Sequence, residues 1–95
     1  MINIVIIGIH HLQSEAIATL IESNDEFKVL DIHSRTTDFL HKNYADPVHV
    51  VIKNIPKITS DDISDVEEIQ KIHPKAKVLI ISYSENEETI FNIIK

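Results

Sequence analysis

Read from the start, Met1-Ile2-Asn3-Ile4-Val5-Ile6-Ile7 is an almost unbroken β-branched run ended by Gly8, the only glycine. A continuous run of this kind predicts a strand buried on both faces rather than an alternating surface strand. The spacing then lengthens. Leu12, Ala16, Ile17, Leu20 and Ile21 recur three to five residues apart, which predicts one apolar helix face ending near Ser23-Asn24-Asp25. Phe27–Ile32 reads as a second strand, and Thr36–Tyr44 as a short helix burying Phe39 and Leu40, with Tyr44 in packing or at the helix end. Val48–Ile52 is a third strand, entered through Asp46-Pro47 and followed by a loop from Lys53 to Thr59. Ser60-Asp61-Asp62 offers an N-cap and first-turn acids for a helix carried by Ile63, Val66, Ile69 and Ile72. His73-Pro74 stops it, Lys77–Ser82 is a fourth strand, and Ser84-Glu85 opens a last helix bearing Ile90, Phe91 and Ile94.

The outcome is an α/β chain, (βα)4, without repeats or low-complexity linkers. Buried strands separated by helices imply a three-layer parallel sheet with right-handed crossovers. Ligand or switch sites in such sheets lie at the carboxyl ends of the strands. Here those ends carry Gly8 to His11, Ile32 to Ser34, Lys53-Asn54 and Ser82-Tyr83.

Composition narrows the function classes. Ninety-five residues make room for one domain, and 43% hydrophobic with 25% charged residues is ordinary globular usage. Fifteen acidic against nine basic residues give a net charge of −6, with Arg35 the single arginine. That balance argues against nucleic acid or an anionic membrane as a direct partner. The absence of cysteine excludes disulfides and thiolate chemistry, and no apolar run approaches a membrane span. The opening segment has neither a basic leader nor a cleavage site, so it is expected to be a strand, and the cytoplasm is the expected compartment.

In order, IVIIGIHHLQSEAIATLIESNDEFKVLDI resembles the start of a response-regulator receiver domain of the NarL/FixJ (LuxR-type) class. His10, Leu12, Glu15 and Ile17 fall in register with that family's first helix, and HPKAKVLIISYSENEETI with its fourth strand and the acidic start of its fourth helix. The resemblance spans essentially the whole chain and implies a flavodoxin-like fold with strand order 2-1-3-4. It also implies a truncated one: residues 1–95 would form a single receiver-like domain lacking the last βα unit, so that the fourth strand becomes an open edge and one sheet face keeps only the first helix.

The family's phosphorylation chemistry is missing. Its metal-holding acidic pair lands on Gly8 and Ile9, its phosphoryl-accepting aspartate on Lys53, or on Ile52 if the register shifts by one, and its switch hydroxyl on Ser82. Phosphoryl transfer to a carboxylate needs a hard cation on oxygen ligands and an acidic acceptor. Only Ser82 retains its role, so a degenerate pseudo-receiver is expected, with no catalytic residues, cofactor or metal. The reading is a phosphorylation-independent regulatory module acting through protein contact in transcriptional signalling. Its partner would be a second copy or another response regulator, with DNA reached only through a domain outside this chain.

The alternative is a small-anion or metabolite sensor using a crevice of His10, His33, Lys53, Asn54, Ser82 and Tyr83. Lys53 would either stand in for the missing cation, with Asp31 as the acid able to approach it, or extend to solvent at a strand end. His10, His11 and His33 converge on the same ends, but the HxH and HExxH spacings of metal sites are absent, and no serine triad is identifiable, so a hydrolase or metal enzyme is disfavoured. Asp61, Asp62, Asp65, Glu67 and Glu68, with Glu85, Glu87 and Glu88 further on, read as solvated helix faces or as a surface steering a basic partner. Tyr83 is a candidate surface anchor beside them.

Overall fold

The β-branched run at the start becomes the central strand of the sheet. In the computed structural model, which describes residues 1–83 and 88–91, the elements are β1 (Ile2–Gly8), α1 (His11–Glu22), β2 (Phe27–His33), α2 (Thr36–Leu40), β3 (Val50–Ile55), α3 (Ser60–Ile72), β4 (Lys77–Tyr83) and β5 (Glu88–Phe91). The sheet order is β2-β1-β3-β4-β5. The first four strands are parallel in the expected 2-1-3-4 order. Alternate side chains of β1 serve two cores, which is why its sequence does not alternate in polarity. Val5 and Ile7 pack with Phe39 of α2, Val66 and Ile69 of α3, and Val51, Val78 and Ile80 of the neighbouring strands. Ile4 and Ile6 pack with Ile52 and with Ala18, Ile17 and Ile21 of α1. Helices therefore lie on both faces, giving the three layers.

Four details depart from the sequence reading. First, β3 does not give way to a loop at Lys53 but runs through Lys53 and Asn54 to Ile55, paired in register with Ser82. Both polar side chains are buried there because each finds a polar partner. Second, α2 stops at Leu40, and Tyr44 packs its ring 5.7 Å from that of Phe39. Third, α1 turns Ser14 and Ala18 to the sheet and leaves Leu12, Ala16 and Leu20 exposed. The close approach at Gly8 explains this rotation: a Cβ there would lie 2.7 Å from Ser14 Oγ, so only a small helix residue fits above that strand end.

Fourth, the expected last helix is a strand where it is described. Glu88–Phe91 pairs antiparallel with β4, Ile80 opposite Phe91 and Ser82 opposite Thr89. The edge of β4 is thus not open, because its unpaired backbone groups take a partner from a Thr-Ile-Phe segment of strand-forming residues. Ser84 to Glu87 and Ile94 lie outside the described residues. The face above β3 and β4 opposite α3 carries Val50, Leu79 and Ile81 half-buried, and α1, which sits over β1 and β2, is the one described helix on that side.

Candidate functional site

Parallel pairing sets His33, Ile7, Lys53 and Ile80 in one row across the carboxyl ends of the strands, with Gly8 beside Asn54 one step further. Lys53 is the centre of that row. Its side chain is 3% exposed, and its Nζ donates to Asp62 Oδ1 at 3.1 Å and to Asp65 Oδ2 at 2.8 Å. The two acids stand one turn apart on α3 and so face the same strand end. The acids that meet Lys53 are these and not Asp31, and Lys53 does not extend to solvent; nor do Asp62 and Asp65 belong to a purely solvated face.

Asp62 is held from both sides. Its second oxygen accepts from the Thr59 N–H at 2.8 Å and from the Thr59 hydroxyl at 3.0 Å, a capping box that opens α3. Burial pushes the Asp62 pKa up, but the Thr59 hydrogen bonds and the Lys53 ammonium outweigh it and hold the group below the usual carboxylate value. A capped helix start therefore doubles as the acceptor that fixes the buried lysine.

Lys53, Asp62 and Asp65 line a cleft of about 270 Å³ together with Gly8, Ile9, Arg35 and Thr36. Two cations meet two carboxylates, so the cleft carries no surplus of positive charge. A side chain at Gly8 would be crowded, because its Cβ would come 2.7 Å from Ser14 Oγ and 3.0 Å from the Asn54 carbonyl oxygen. Ile9 is 60% exposed and supplies no ligand atom. Among the described residues, no three His, Cys, Asp or Glu side chains are grouped to hold a metal ion.

The other expected crevice residues do not converge on this cleft. Asn54 points to the α1 side, where its Nδ2 is 3.4 Å from Gln13 Oε1. Ser82 is buried with its hydroxyl 3.4 Å from the Pro56 carbonyl oxygen. His10 is the exposed residue preceding α1, its carbonyl accepting the Ser14 N–H. Tyr83 ends the backbone of β4, and its side chain lies outside the described ones.

His33 belongs to a second cluster that spacing did not reveal. Its Nε2 lies 2.7 Å from Tyr44 Oη and 3.3 Å from Asp31 Oδ2, and Lys42 pairs with the same carboxylate. Burial raises the Asp31 pKa, but the Lys42 hydrogen bond and the nearby charges of His33 and Lys42 prevail and leave it lowered. Burial and the Asp31 charge together push the Tyr44 phenol well above its ordinary 10.0. The signal available in sequence was the Asp-x-His spacing at the end of β2; the 11-residue separation to Tyr44 has no periodicity to read.

A parallel 2-1-3-4 sheet between helix layers, with its site at the strand ends, is a receiver-type α/β fold. Solved structures that match it include three of the RcsB response regulator. One, from Salmonella typhimurium and described for its conformational dynamism in DNA interaction, has a TM-score of 0.71 at 16% identity over 85% of this chain. A second from that organism gives 0.70 at 17% identity, and a two-component response regulator RcsB–DNA complex gives 0.72 at 15%. This chain spans 42% of the length of each. No protein-family model matches the chain, and no curated protein does.

Proposed function

We propose that this chain is a receiver-like signalling module that works by contact with another protein, without aspartyl phosphorylation and without enzymatic activity. The observation that carries the reading is the engagement of Lys53. Where the receiver resemblance expects a phosphoryl-accepting carboxylate, a buried ammonium is already bound by Asp62 and Asp65. The positions that the resemblance expects to hold a metal are Gly8 and Ile9, neither of which has a side-chain oxygen. The ion pair fills the strand end where the resemblance would place a phosphoryl group and its cation. Control would then come from the abundance or availability of the partner. Transcriptional signalling, a DNA-binding unit outside this chain and a cytoplasmic setting go with the resemblance and belong to the same proposal. The small-anion alternative is disfavoured, since the central cation is spent on two carboxylates.

The test is incubation with acetyl phosphate and Mg²⁺ followed by intact-mass measurement. The unmodified mass is expected; addition of a phosphoryl group to the chain would overturn the reading.

A further inference from the structure

The helix α1 carries a second apolar line that the described residues leave exposed. Leu12, Ala16 and Leu20 follow one another at intervals of four residues, which places them in a single ridge about 12 Å long. Leu12 is 83% and Leu20 74% exposed, and Ala16 is exposed between them. Ile9, 60% exposed, lies just before α1 and lines the Lys53 cleft. Two exposed leucines with a small residue between them offer two knobs and a low point, a surface on which another helix can approach closely.

Charge selects the occupant. Residues 1–27 contain no Lys or Arg. The same helix and the turn after it carry Glu15, Glu22, Asp25 and Glu26, all exposed. Packing α1 on α1 of a second copy would set these carboxylates against their own counterparts, and like charges across an interface select against that pairing.

We infer that the α1 ridge of Leu12, Ala16 and Leu20 docks an amphipathic helix whose apolar stripe is flanked by Lys or Arg. The inference rests on the contact-module reading and names its partner's chemistry. Docking there covers the two exposed leucines and sets basic flanks beside the acidic rim.

The test uses two synthetic helical peptides with the same leucine stripe, one flanked by lysines and one by glutamates, titrated against the full chain by fluorescence anisotropy. The lysine peptide is expected to bind, the glutamate peptide at least tenfold more weakly, and added salt to weaken the first. The variant L12S/L20S keeps the net charge and alters only exposed positions; with an unchanged melting temperature it is expected to lose at least tenfold in affinity. Equal binding to the parent and to L12S/L20S would reduce the effect to general attraction and overturn the inference. So would failure of the lysine peptide to bind, or a dimer in sedimentation that L12S/L20S dissociates. None of these results adds phosphate to the chain, so the contact-module reading fails separately, by the mass measurement.

Discussion

The Nζ of Lys53 lies 2.8 Å from Asp65 Oδ2, joining the end of the third strand to the second turn of α3. Asp62 completes the pair of acceptors from one turn earlier. Removing one member of a buried ion pair leaves the other uncompensated, which costs about 3 to 5 kcal/mol when both are deep in the protein. Asp65 is 37% exposed and keeps part of its hydration, so Lys53→Met is expected to lower stability by about 2 to 4 kcal/mol. Asp65→Asn should cost no more than about 1 kcal/mol. Urea denaturation of the two variants checks this order; a Lys53→Met protein as stable as the parent would show that the pair does not hold α3 to the sheet.

Asp62 sets an acid limb. Its carboxyl is held below the ordinary value of 3.8, so the unfolded chain takes up its proton first as pH falls. The stabilisation is present above that ordinary value and is lost as pH drops through the lower folded one. Melting temperature is therefore expected to fall below about pH 4, and Asp62→Asn to flatten that fall while lowering stability at neutral pH through the lost contact with Lys53. An acid limb of equal steepness in the variant would assign the effect to other carboxylates.

Tyr44 sets the alkaline limb. Its phenol ionises well above 10.0 in the folded state, because burial and the Asp31 charge oppose a second anion. A raised folded pKa means stability that is full below the unfolded value and declines as pH rises past it. Tyr44→Phe is expected to make the decline above pH 10 shallower, read by circular dichroism across a pH series. A tyrosinate absorbance at pH 10 that is larger in the parent than in Tyr44→Phe, which keeps Tyr83, would contradict this.

Gly8 and Ser14 are coupled. Ser14 Oγ is fully buried, has no hydrogen-bond partner among the described residues, and occupies the space a Cβ at Gly8 would need. Gly8→Ala is expected to destabilise by about 1 to 3 kcal/mol through overpacking. Ser14→Ala removes an unsatisfied hydroxyl and should be neutral or stabilising by up to about 1 kcal/mol. The double variant should recover part of the Gly8→Ala loss, since the contact with Asn54 remains; strictly additive melting shifts would mean that the two sites do not meet.

The first four strands and three helices were legible because each is a local matter of period. Ile4, Val5, Ile6 and Ile7 announce a doubly buried strand, and Val66 and Ile69 a helix face. The resemblance placed Gly8, Ile9 and Lys53 where carboxylates for phosphoryl transfer are expected, an implication that the mass measurement tests. The identity of the partners of Lys53 was not there to read: Asp62 and Asp65 sit in a helix start that looks solvated until the strand-to-helix crossover brings it over the end of β3. The face of α1 was likewise decided by packing, because Leu12, Ala16 and Leu20 satisfy helical spacing as well as Ser14, Ala18 and Ile21 do. Close approach at Gly8 chose the smaller set. At Glu88–Phe91 the unpaired edge of β4 prevailed over a helical reading of the sequence. Periodicity specifies what a segment can become, whereas desolvation of a charge, steric room beside a glycine and an unpaired strand edge are properties of surfaces that exist only once distant segments meet.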